Sequence, residues 1–205
     1  MCYLDSYIYE FEHCVETGEF SVEHGYHSLF GHFHECERRL ETPKKTNWSA
    51  PNFNYVDGSI FDAVKSSQVE GIAIFVPFGL TALRVTTFDF VQTLIPMSLE
   101  CEGDFKCYRT QEGKLVYVYK EDVESIQEMM FLVNKICTLF SKHNIHSFAM
   151  NGIRARDFPL QTRELNHVQE YLLVEFVRKW CELKEHSFNS ISFVDLRGGF
   201  NSLAH

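Results

Sequence analysis

The chain has 205 residues, 45% of them hydrophobic and 23% charged, a balance that supports a packed core and argues against intrinsic disorder. A net charge of −9 and an isoelectric point near 5.5 argue against nucleic-acid binding, which takes a stripe of basic residues along one face. The longest apolar stretches, Gly71–Leu80 and Met129–Phe140, are too short for a bilayer and are broken by Pro77 or by Asn134 and Lys135, so no membrane partner is expected.

Taken in chain order, Tyr3–Glu16 reads as a helix ended near Gly18. Ser21 opens a second one running to about Glu41, with Val22, Tyr26, Leu29, Phe30, Phe33 and Leu40 at helical spacing. Residues 1–42 carry nine carboxylates against Arg38 and Arg39, together with five of the ten histidines. They read as an acidic helical N-terminal lobe, bounded at residues 1–45, ahead of an α/β core of residues 46–205. The Asn- and Pro-punctuated stretch Thr46–Gly58 reads as the linker or packed loop between them. A short helix follows at Ile60–Ser67.

Beyond Glu70 the pattern turns to strands. Ile72–Val76 and Leu83–Ile95 are rich in β-branched and aromatic residues, and Phe105–Arg109 with Leu115–Tyr119 frame a loop containing Gly113, which predicts a hairpin. A helix follows the acids Glu121, Asp122 and Glu124. Val123, Ile126, Met130, Val133, Cys137 and Phe140 line one face of it, and Met129, Leu132, Ile136 and Leu139 widen that face, so it should be packed on more than one side. Ser147–Ile153 reads as a strand. Arg163–Lys184, capped by Thr162, reads as a helix buried through Leu165, Val168, Leu172, Phe176 and Trp180, and Ser190–Leu196 as a last strand. The expected fold is α+β or α/β: a mixed, largely antiparallel sheet of five or six strands flanked by two long helices.

The constellations that bear on chemistry are sparse. His32 and Cys36 stand one helical turn apart, and His13 and Cys14 could complete a tetrahedral zinc site, although structural zinc sites usually show tighter ligand pairs. Asp89, followed by Asp104-Phe105-Lys106, has the layout of a metal-dependent nuclease, in which two acids hold Mg²⁺ and the lysine positions water. Cys101 and Cys107 flank an acidic turn that would hold their thiols protonated, which argues against a cysteine nucleophile. Gly198-Gly199 lacks the third glycine and the following helix of a dinucleotide site. Arg154, Arg156 and Arg163 cluster near Phe158 as a local patch for phosphate or for an acidic partner.

With seven cysteines and no paired framework, a reducing compartment is expected, the cytoplasm or the nucleus. The start, MCYLDSYIYEFEH, has no basic run ahead of an apolar one and does not read as a secretory signal. By elimination, the sequence favours a non-enzymatic protein-binding module over an enzyme: an inhibitor, an adaptor or a pathogen accessory protein acting on a host factor. Glu12, Glu16, Glu19 and Glu23 would steer a basic protein surface, with Arg154, Arg156 and Phe158 as further contacts. No cofactor is expected. The nuclease and a zinc-stabilised regulatory protein are the alternatives.

Overall fold

The first helix ends because Gly18 adopts φ +76°, a left-handed conformation that costs glycine nothing, while its N–H donates to the Cys14 carbonyl. The computed structural model describes residues 3–20, 47–66, 68–76, 98–102, 105–156 and 165–195. In chain order the described elements are α1 (Tyr3–Thr17), β1 (Asn52–Asp57), α2 (Ile60–Lys65), β2 (Gly71–Phe75), β3 (Ser98–Glu102), β4 (Phe105–Arg109), β5 (Leu115–Tyr119), α3 (Ile126–Lys142), β6 (Ser147–Asn151), α4 (Leu165–Leu183) and β7 (Ser190–Asp195). The expected helix to Glu41, the strand Leu83–Ile95 and the Thr162 cap lie outside the described residues.

The seven described strands form one sheet in the order β1-β7-β6-β2-β5-β4-β3. From β1 to β5 every neighbouring pair is parallel, and only β4 runs against its neighbours. The sheet is therefore mostly parallel, which corrects the expectation of a largely antiparallel sheet of five or six strands. The hairpin β4–β5 is where expected, with Gly113 at φ +87° in its loop. It led to the wrong generalisation because a hairpin is visible locally, whereas parallel partners are joined only through long crossovers. The presumed linker is also a strand. Asn52–Asp57 pairs residue for residue with Ser190–Asp195 at the sheet edge. Its alternation of Asn with aromatics suits a strand with one free edge and lacks the apolar run of a central one.

Both faces of the sheet are covered. Ala73, Phe75, Tyr117, Phe148 and Phe193 point into the larger core with α1, α3 and α4, while Ile72, Ile74, Val116 and Val118 point into the smaller core with α2. Burial on both sides explains why β2 and β5, GIAIF and LVYVY, are apolar at nearly every position. All ten apolar residues expected on the faces of α3 or just ahead of it are buried. The helix begins at Ile126, later than the preceding acids, because Ser125 is its N-cap and Glu128 reaches back over the first turn. Ser125 Oγ accepts from the Glu128 N–H, and the Glu128 carboxylate accepts from the Glu124 N–H at 2.7 Å and from the Tyr119 hydroxyl at 2.8 Å. Phe11 of α1 stacks on Phe176 of α4 at 4.8 Å, which draws the first helix into the main core.

Candidate functional site

In an open α/β sheet, ligands bind outside the carboxyl ends of the strands, where neighbouring strands lead off in opposite directions. The strand order puts that reversal between β2 and β6. The chain continues from β2 towards the β5 side of the sheet and from β6 to β7 on the other side. At this point Asn151 closes the end of β6 against β2. Its Oδ1 accepts from the Phe75 N–H at 2.7 Å and its Nδ2 donates to the Phe75 carbonyl at 2.6 Å. A side-chain amide, which carries both donor and acceptor, satisfies both backbone groups where the ladder between these strands ends.

The segment leaving β6 is held the same way. The Ala155 N–H donates to Gln169 Oε1 of α4 at 2.7 Å, and the Arg156 N–H donates to the Val123 carbonyl at 2.9 Å. Arg156 also faces both carboxylate oxygens of Glu124 at 3.4 Å. Arg154 turns to Glu170 of α4, with Nη2 3.3 Å from Oε1. At the end of β7, Asp195 lies opposite Asp57 of β1 and beside Glu170. Burial pushes the Glu170 carboxyl up to about 7, even though Arg154 pulls it down. Asp195 adds to the rise, and His167 opposes it weakly. The carboxyl edge thus gathers two arginines, an amide clamp and a buried acid that titrates near neutrality.

Solved macrodomain structures share this architecture. A macrodomain of Trypanosoma brucei superposes with a TM-score of 0.52 at 12% identity, covering 80% of this chain and 72% of that one. A second structure, the T. brucei macrodomain in complex with ADP-ribose, gives 0.51 at 12% identity over 80% and 73% of the two chains. The fold is macrodomain-like. No protein-family model matches the sequence, and no curated protein does.

A macrodomain-like fold overturns the reading of a non-enzymatic protein-binding module, and with it the inhibitor and host-factor versions, the nuclease and the zinc-stabilised regulator. Of the presumed nuclease residues, Asp89 and Asp104 lie outside the described residues, and Lys106 sits in β4 opposite Val118. Of the zinc candidates, His32 and Cys36 lie outside, and His13 and Cys14 are neighbours on α1. Burial, helped by Glu10 and Glu19, pushes the Cys14 thiol up to about 11, which keeps it protonated. Among the described residues no group of three His, Cys, Asp or Glu side chains is placed to hold a metal, and no helix is long and apolar enough to cross a membrane.

Of the acids expected to steer a partner, Glu12 is turned to Lys179 of α4 at 4.0 Å, Glu16 and Glu19 are exposed near the end of α1, and Glu23 lies outside. Arg154 and Arg156 are the expected contact residues that fall at the carboxyl edge of the sheet, while Phe158 and the pair Gly198-Gly199 lie outside the described residues. Asn151, Gln169, Glu170 and Asp195 went unremarked in the sequence. Glu170 sits in an ordinary helical pattern, and only its burial at 4% exposure distinguishes it from the solvated glutamates of the same helix.

Proposed function

We propose that this chain binds ADP-ribose, free or as a group attached to another molecule, at the carboxyl edge of the sheet around β2, β6 and β7. The observation that carries the reading is the macrodomain-like fold, seen in a T. brucei protein in complex with ADP-ribose. The chemistry of the edge supports it. ADP-ribose presents a pyrophosphate, an adenine and two hydroxyl-bearing riboses. Arg154 and Arg156 suit the first, since a guanidinium fork matches phosphate oxygens. Asp57 and Asp195, paired at the ends of β1 and β7, are acceptors for ribose hydroxyls or the adenine amino group. The chain's net −9 bears little on this contact, because charge far from the edge is screened within about 8–10 Å.

The test is titration of the full chain with ADP-ribose, ADP and adenosine, by calorimetry and by amide chemical shifts. Saturable one-to-one binding of ADP-ribose is expected, with shift changes centred on Asn151, Arg154 and Asp195 and weaker binding of adenosine. Absence of saturable binding at millimolar ADP-ribose would overturn the reading. Shift changes confined to α1 or to the β3–β4 edge would overturn the placement.

A further inference from the structure

Arg154 leaves the sheet three residues past the end of β6, and its side chain keeps 38% of its exposure while that of its partner Glu170 keeps 5%. The acid is thus buried behind an arginine that still reaches water. The charged groups facing Glu170 come from three elements: Arg154 from the β6 exit, Asp195 from the end of β7, and His167 from the preceding turn of α4, its Nδ1 3.7 Å from Glu170 Oε2. That second oxygen is buried and accepts no hydrogen bond among the described residues. A buried carboxylate oxygen without a donor is costly, and a second carboxyl beside it makes the cost larger. A proton taken up by Glu170 removes the like-charge penalty, and the protonated acid can then donate to the ionised Asp195.

We infer that Arg154 is an anion-binding residue whose charge is released to a phosphate or pyrophosphate group when the buried Glu170 takes up a proton shared with Asp195. With Glu170 ionised, Arg154 is neutralised by its partner and the incoming anion also meets Asp195. With Glu170 protonated, one negative charge is gone and the guanidinium fork is free to turn to the ligand. The proton comes from solvent, so anion binding and proton uptake are linked, each favouring the other. Glu170 acts through Arg154 and is a positioning residue. The inference rests on the ADP-ribose reading only for the identity of the natural ligand. The anion chemistry stands separately and can be probed with inorganic pyrophosphate.

The experiment is calorimetric titration of the full chain with ADP-ribose, inorganic pyrophosphate and adenosine at pH 6, 7 and 8, in buffers of different ionisation enthalpy. Wild-type protein is expected to bind both phosphorylated probes about tenfold more tightly at pH 6 than at pH 8, with proton uptake near pH 7.5 and no pH dependence for adenosine. Glu170→Gln should bind at both pH values as wild type does at pH 6, without proton uptake. Arg154→Gln should lose most of the affinity for the phosphorylated probes. His167→Asn should keep the pH dependence, which separates Glu170 from the exposed imidazole. The inference is overturned if wild type binds either phosphorylated probe without pH dependence, if Glu170→Gln retains that dependence, or if neither probe binds. Binding of pyrophosphate with the expected pH pattern but no binding of ADP-ribose would sink the ADP-ribose reading and leave this one standing. The wild-type proton uptake decides the matter even if a variant fails to fold.

Discussion

Glu170 is the residue at which environment most changes chemistry. Its folded-state carboxyl titrates near 7, against an ordinary value near 4.5. The folded protein therefore holds this proton to higher pH than the unfolded chain does, and stability falls as pH rises between those values. The contribution is complete below about pH 4.5 and gone above about pH 7. Glu170→Gln keeps the shape and the acceptor facing Arg154 but cannot ionise. It should match wild type in stability at pH 5 and exceed it at pH 8 by about 2 kcal/mol. Urea midpoints of both proteins at the two pH values check this, and a wild-type pH dependence unchanged in the variant would contradict it. Nothing in the local sequence marks the site: Glu164, Glu170, Glu175 and Glu182 recur at similar intervals, and the burial of one of them is decided by strands that lie before and after the helix.

At the scale of elements, the start of β2 shows how tightly helix and sheet meet. A Cβ added at Gly71 would lie 2.7 Å from Phe140 Cε1 and 3.2 Å from Ile145 Cγ2. Phe140 cannot easily yield, since its ring is fully buried between Tyr117 at 5.5 Å and Phe148 at 4.7 Å. Gly71→Ala should therefore cost about 1–3 kcal/mol by overpacking, and Phe140→Ala about 3–5 kcal/mol by leaving a cavity. The two should not add. With the ring gone the main clash is removed and only the contact with Ile145 Cγ2 stays tight, so Gly71→Ala should cost much less in the Phe140→Ala background. A double-mutant cycle by urea denaturation reads this directly, and additive penalties would show that the clash is relieved elsewhere. The same α3 ties to α4 through Trp180 Nε1, which donates to Asn134 Oδ1 at 3.0 Å. Asn134, which interrupts the apolar run of α3, is thus a polar partner for a buried indole.

For the whole molecule, a ligand seated across β2, β6 and β7 would touch strands far apart in sequence. If ADP-ribose binds the folded chain and not the unfolded one, a concentration of a hundred times Kd should stabilise it by about 2.7 kcal/mol. For a chain of this size that corresponds to a Tm rise of about 5–10 °C. Thermal denaturation with and without ADP-ribose, and with adenosine as the weaker control, measures it. A Tm indifferent to ADP-ribose concentrations that saturate binding would show that the ligand does not favour the folded sheet. At this scale the acidic N-terminal helix also has a place in the packing. Its charge is plain in the sequence, but Phe11 stacks on Phe176 and Glu12 faces Lys179, so the helix is in part a packing element.

Local periodicity by itself determined the two long helices α3 and α4, the short α2, the β4–β5 hairpin and the buried runs of β2, β6 and β7, because amphipathic spacing and turn residues act over a few positions. It also marked Arg154 and Arg156 as a pair. It could not give strand order or direction, since a buried apolar run packs equally well beside a parallel or an antiparallel neighbour. It missed β1 because an edge strand needs only one partner and tolerates Asn at alternate positions. Only the tertiary structure decided that β2 and β6 are neighbours with Asn151 clamping their ends, and that Arg154, Glu170 and Asp195 meet. Those residues come from three elements, and the energy that joins them comes from burial and charge at short range in space, which separation along the chain does not record.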